Sequence, residues 1–147
     1  MDIAQLTPSV RGPGGLAHDS RSGVEALYST GYWLLARDRV ADAAKVFRVM
    51  LHASPRDERG WLGLGECHER SGQHHIALQL YGAGSVVAES GVRCLVARAQ
   101  ALRKVDLSEE ADEALDQAER LAADRNDDEL VDLVVLARGN ARGKKKP

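Results

Sequence analysis

Residues 61–81 read W-L-G-L-G-E-C-H-E-R-S-G-Q-H-H-I-A-L-Q-L-Y. Within them, Trp61, Leu64, Gly65, Gly72, Ala77 and Tyr81 spell W-x2-L-G-x6-G-x4-A-x3-Y. Thirty-four residues earlier the same frame holds Leu27, Thr30, Gly31, Ala43 and Phe47, and Pro55 ends that copy. Thirty-four residues later it holds Leu95, Arg98, Ala99, Ala111 and Leu115, with Ala118 at a small-residue position. A period in this range is the mark of a helix pair repeated along a chain, each pair burying its apolar side against the next.

Each position has a packing reason. Gly31, Gly65 and Ala99 stand where the first helix of a pair (A) meets the second (B), and Ala43, Ala77 and Ala111 answer them from helix B. Bulk at these points holds the helices apart. Trp61, Leu64, Phe47 and Tyr81 fill the volume that the small residues leave, and Pro55 ends a helix between two repeats. The fold expected is all-α: three tetratricopeptide repeats over about residues 24–57, 58–91 and 92–125, wound as a right-handed superhelical solenoid.

Helices are predicted over 24–37, 40–53, 57–70, 73–87, 91–104 and 109–122, with Ser108 as an N-cap ahead of Glu109 and Glu110. A capping helix follows over 127–138, where Leu130, Leu133, Val134 and Ala137 share one face. It is there to cover Leu115, Ala118 and Leu121, which the last repeat otherwise exposes. Residues 1–20, with Pro8, Gly12, Pro13, Gly14 and Gly15, read as a disordered segment, so the repeat domain spans 21–138. Residues 139–147, with Arg142, Lys144, Lys145 and Lys146, read as a basic disordered tail.

In a chain of 147 residues three helix pairs and a cap leave no room for a second domain. No apolar stretch is long enough to span a bilayer, and the first residues lack the pattern of a secretory leader, so a cytoplasmic protein without stable membrane association is expected. The net charge of −2 is unevenly spread: 12 carboxylates between Asp106 and Asp132 face only Arg120 and Arg125. Such a surface repels nucleic acid.

Nothing in the chain points to catalysis or to a cofactor. Phosphate-binding, dinucleotide and nucleophile-elbow motifs are absent, as is H-E-x-x-H. Cys67 and His68 are neighbours pointing about 100° apart on one helix, with His74 and His75 beyond a turn, which is poor geometry for zinc. His74 and His75 read as solvent-exposed residues at a helix start, and Cys67 and Cys94 as small packing residues.

Function is therefore expected on a surface. A helices line the concave face of such an array through repeat positions 2, 5, 9, 12 and 13. Repeat one presents Glu25, Tyr28, Tyr32, Leu35 and Ala36 there, repeat two Arg59, Leu62, Glu66, Glu69 and Arg70, and repeat three Arg93, Val96, Gln100, Arg103 and Lys104. The candidate peptide-binding groove is Tyr28, Tyr32, Leu35, Leu62, Glu66, Arg93 and Val96, an aromatic strip that grades into a basic end. Tyr28 and Tyr32 stand where the carboxylate-clamp subclass needs Lys and Asn, which disfavours that subclass.

The runs L-Y-S-T-G-Y (27–32), A-x-x-V-F (43–47), D-E-R-G-W-L-G-L-G-E-C (57–67) and A-L-Q-L-Y-G-A-G (77–84) resemble the class II translocator chaperones of type III secretion, the SycD/LcrH/IpgC type. The resemblance covers residues 24–121. It implies a small cytosolic chaperone that keeps pore-forming translocators soluble before export by gripping a P-x-L-x-x-P-like segment in the groove. It also carries the family's groove onto Tyr28, Tyr32, Leu35, Leu62 and Glu66. R-G-P-G-G at 11–15 departs from the apolar dimerisation helix of that family, so self-association is expected to be weak. A general tetratricopeptide scaffold joining two folded proteins is the alternative.

Overall fold

A computed structural model describes the backbone of residues 13–144 and the side chains of residues 21–139. Among the described residues there are seven helices and no strand: α1 (Pro13–Ala36), α2 (Val40–Ala53), α3 (Glu58–Arg70), α4 (His74–Val87), α5 (Val92–Lys104), α6 (Ser108–Asp124) and α7 (Asp128–Lys144). Each packs on the next, and α1, α3, α5 and α7 also touch in succession. That pattern of neighbours is a stack of antiparallel helix pairs.

Small residues set the spacing within each pair. A methyl group added to Gly31 would meet the Phe47 ring 2.5 Å away, and one added to Gly65 would collide with the Tyr81 ring. Phe47 and Leu115, one repeat-step either side of Tyr81, are fully buried, as are Ala43, Ala77 and Ala111. Trp61 is half-buried and donates its Nε1 hydrogen to the Pro55 carbonyl at 2.8 Å, which ties the inter-repeat loop to α3.

The turn between the helices of each pair repeats in backbone as well as in sequence. Asp38, Gly72 and Asp106, 34 residues apart, have φ of 58°, 75° and 63°. Only glycine adopts that left-handed conformation freely, and Asp tolerates it better than most residues.

Two main apolar cores result. Leu34, Leu35, Phe47, Met50, Leu64 and Cys67 join α1, α2 and α3, while Val92, Leu95, Val96, Leu115 and Val134 join α5, α6 and α7. A smaller cluster of Ala77, Tyr81 and Ala101 lies between them on α4 and α5. Leu130, Val134 and Ala137 of α7 are buried against the face that includes Leu115 and Ala118, so α7 caps the array.

Three local expectations are corrected. Helix α1 starts at Pro13, so residues 13–20 are helical; 1–12 lie outside the described residues. Proline is favoured in a first helical turn, and extending a formed helix avoids the cost of nucleation. For the same reason α7 runs past 138 to Lys144, leaving 145–147 of the expected tail outside the described residues. Ser108 is the first residue of α6, whose N-cap is Leu107 with no side-chain hydrogen bond. Elsewhere caps do form: Asp57 accepts from the Arg59 backbone N–H at 3.0 Å, and Asp127 from that of Leu130 at 3.2 Å.

Candidate functional site

A groove of about 490 Å³ runs across α3 and α5 on the face formed by the A helices. Its apolar surface comes from Tyr32, Leu62, Ala97 and Tyr81, and its polar surface from Glu66, Glu69, Arg70, His74, Gln100 and Lys104. Tyr32 stands edge-on to Phe47 at 5.3 Å between ring centres, so its orientation is set by the core beneath. Burial, with a smaller contribution from Glu66, pushes the Tyr32 hydroxyl up to about 12. It is a neutral donor at physiological pH.

The charges in the groove are largely matched. Glu69 accepts from the Tyr81 hydroxyl at 2.7 Å and from Lys104 at 2.9 Å, bridging α3, α4 and α5. Arg70 donates to Glu66 at 2.8 Å and to the Leu35 carbonyl at 2.9 Å. Burial and the Glu69 hydrogen bond both raise the Tyr81 pKa. A ligand therefore meets fixed ion pairs beside the Tyr32–Leu62 surface, and both cations of those pairs, Lys104 and Arg70, are well exposed.

Of the residues expected in the groove, Tyr32, Leu62 and Glu66 line it together. Tyr28 is edge-on to Tyr32 at 5.0 Å, but Arg59 lies over its ring and holds Glu25 at 2.7 Å and Asp57 at 2.7 Å. Hydrogen bonds from Arg59 hold both carboxyls below their ordinary range. Tyr28 thus sits under a charged cover at the groove's margin.

Leu35 and Val96 are corrected outright, at 2% and 5% exposed. Leu35 packs with Leu64 and Cys67 because the next A helix covers its position, and Val96 packs in the core that α6 and α7 complete. Arg93 is exposed at the start of α5 and does not line the groove. His74, expected in solvent, is half-buried in the groove wall, whereas His75 is exposed. His68 bonds Gln73 at 2.6 Å, and Cys67 and Cys94 are buried.

Tyr81, His74 and Ala97 were missed as groove residues. The first two lie on a B helix, outside the A-helix positions used to read the concave face. Ala97 follows Val96, and burial of Val96 turns that neighbouring position toward the groove. Spacing alone carried a signal only for Tyr81, whose ring faces Gly65 and whose hydroxyl then projects past α3.

Stacked antiparallel helix pairs with a groove across their A helices define a tetratricopeptide-like array. No family model matches the chain. It is similar to the low calcium response locus protein H of Yersinia pestis, 30% identical over 108 residues, which are 74% of this chain and 64% of that protein. The chain thus spans less than two thirds of the length of that curated relative.

Its fold matches the type III secretion translocator chaperone SycD of Yersinia enterocolitica, with 28% identity and a TM-score of 0.74 over 87% of this chain and 94% of that one. It also matches the same chaperone in complex with a peptide of the translocator YopD, at 29% identity and a TM-score of 0.63 over 83% and 94%. The resemblance to the class II translocator chaperones holds in sequence and in fold.

Proposed function

We propose that this chain is a cytoplasmic type III secretion chaperone that holds a hydrophobic translocator through its concave groove until export. The observation that carries the reading is the Tyr32–Leu62–Ala97 surface, set in the fold of a chaperone solved with a translocator peptide. An extended P-x-L-x-x-P-like segment suits it, since proline and leucine side chains pack on an aromatic wall and an aliphatic floor. Binding alone does the work. Covering an aggregation-prone segment lowers the population free to self-associate or enter a membrane, with no nucleotide consumed.

Among the described residues no helix is long and apolar enough to cross a membrane. The SycD structures that the fold matches are those of a chaperone, and the groove offers apolar walls and ion pairs to a bound segment. Co-expression with a pore-forming translocator tests the reading. The translocator is expected in the soluble fraction, co-purifying with the chain, and the Tyr32→Ala, Leu62→Ala double variant is expected to release it. A translocator that stays insoluble beside a folded chain overturns the proposal.

A further inference from the structure

Among the chain's four prolines, Pro8 and Pro13 bracket Val10, and residues 8–13 read P-S-V-R-G-P. This is P-x-V-x-x-P, the pattern of the segment proposed for the groove with valine in place of leucine. Pro55 and Pro147 have no proline at that spacing. The chain thus carries, just before its first helix, prolines that suit the Tyr32 wall and an aliphatic side chain that suits the Leu62 floor of its own groove.

The segment cannot reach the groove while α1 is helical from Pro13. Tyr32 then lies roughly 28 Å along the helix from Pro13, at about 1.5 Å per residue, and the stretch from Val10 to Pro13 spans about 10 Å. Little beyond helix propagation holds that start in place. Arg21, Ser22 and Gly23 are exposed, a methyl group added to Gly23 would meet nothing within 4 Å, and among the described side chains of α1 the first to join a core is Val24. Gly14 and Gly15 favour the unwound chain, and the first turn has no acidic residue to favour its dipole. Once residues 13–20 unwind, the chain from Val10 to Arg21 spans up to about 37 Å, and Tyr32 is about 17 Å along the helix from Arg21.

We propose that residues 8–13 are a tethered competitor for the groove: the start of α1 unwinds, the segment folds back over Tyr32 and Leu62, and a client has to displace it. The form helical from Pro13 is the one with the groove open. A short tether supplies an effective concentration on the order of 1 mM, so a segment that binds with a Kd of about 100 µM, unwinding included, fills the groove in about nine of ten molecules and weakens a client about tenfold. Leucine at position 10 would add one methylene and hold the groove about fourfold more tightly, so valine keeps the competitor displaceable. The proposal rests on the reading that the groove takes an extended proline-containing segment, and not on the client being a translocator.

A fluorescein-labelled peptide of residues 6–15 carrying Val10→Leu is the probe, titrated by anisotropy with the full chain. Val10→Asp in the chain should tighten probe binding about tenfold and Val10→Leu should weaken it about fourfold, with unchanged thermal melts. Tyr32→Ala with Leu62→Ala should abolish binding in each background. Tryptic cleavage after Arg11 should be slower in the parent than in that double variant, by a factor independent of chain concentration. A probe that binds no form of the chain, or binds all three residue-10 forms alike, overturns the proposal. So does protection of Arg11 that grows with chain concentration, which would put the segment in a second copy. A translocator held soluble by a chain whose probe affinity ignores residue 10 overturns the competitor alone, whereas the expected residue-10 effects beside an insoluble translocator uphold the competitor and overturn the translocator reading.

Discussion

The guanidinium of Arg59 lies 4.4 Å from the centre of the Tyr28 ring while its nitrogens hold Glu25 and Asp57. Two tyrosines one helical turn apart are therefore unequal: Tyr32 faces the groove and Tyr28 is covered. Tyr32→Ala should weaken binding of a translocator peptide by about 1 to 2 kcal/mol, roughly five- to thirtyfold, and Tyr28→Ala by less than about 0.5 kcal/mol. In an Arg59→Ala background the cover is gone, and Tyr28→Ala should then carry a loss closer to that of Tyr32→Ala. Fluorescence anisotropy on the four combinations measures the coupling, and equal effects in both backgrounds would refute the cover.

Gly65 is where the second repeat has no room to give. A side chain there runs into the Tyr81 ring, which is itself anchored to Glu69. Gly65→Leu should cost about 3 kcal/mol or more, and thermal melts should show either a large drop or no cooperative transition. Gly72→Ala is the contrast: nothing crowds it, and its cost of about 1 kcal/mol is that of the left-handed backbone alone.

The left-handed turns make a prediction of opposite sign. Asp38 and Asp106 hold the conformation that Gly72 holds in the middle repeat. Asp106→Gly relieves about 1 to 2 kcal/mol of backbone strain and gives back about 0.4 to 1 kcal/mol in unfolded-chain entropy, so the net should be a stabilisation of roughly 0.5 to 1 kcal/mol. Urea titration should move the midpoint upward with an unchanged slope. A lower midpoint would mean that the Asp side chain secures the turn better than glycine does.

Stability should fall on the alkaline side. Burial pushes Cys67 up to about 11 from an ordinary 9.0, and it raises Cys94 and Tyr81 further and Tyr32 to about 12. The folded chain holds these protons more tightly than the unfolded one, so the stabilisation is complete below about pH 9 and is lost as pH rises toward and through the raised values. Cys67 alone accounts for on the order of 2 kcal/mol by pH 11. The melting temperature should be flat from pH 7 to about 8.5 and then decline. In a Cys67→Ala, Cys94→Ala variant the decline should start about one pH unit later, where tyrosine ionisation begins.

What was legible in the sequence is what depends on neighbours within one repeat. Gly31 opposite Phe47 and Gly65 opposite Tyr81 are contacts inside a helix pair, and a 34-residue step reproduces them. Leu35 and Val96 escaped the same reading because their burial depends on what is stacked above them: α3 over the end of α1, and α6 with α7 around α5. Repeat position gives the direction of a side chain from its own helix, and the next element decides whether that direction is solvent. Arg59 over Tyr28 is of the same kind, a cover supplied by the following repeat. The helical starts and ends at Pro13 and Lys144 were hidden for another reason, since composition measures whether a segment nucleates a helix and not whether it prolongs one.

The two main cores are joined across α4 and α5 by Ala77, Tyr81 and Ala101, with Leu62, Leu78 and Ala97 packed against them, and the groove lies over that junction. A segment bound to Tyr32 and Leu62 on one side and to Ala97 and Gln100 on the other works as a splint across a joint. Occupancy then does more than hide the ligand. It ties α1 and α3 to α5 through the ligand, so amide exchange at the junction should slow by more than the ligand's own footprint explains.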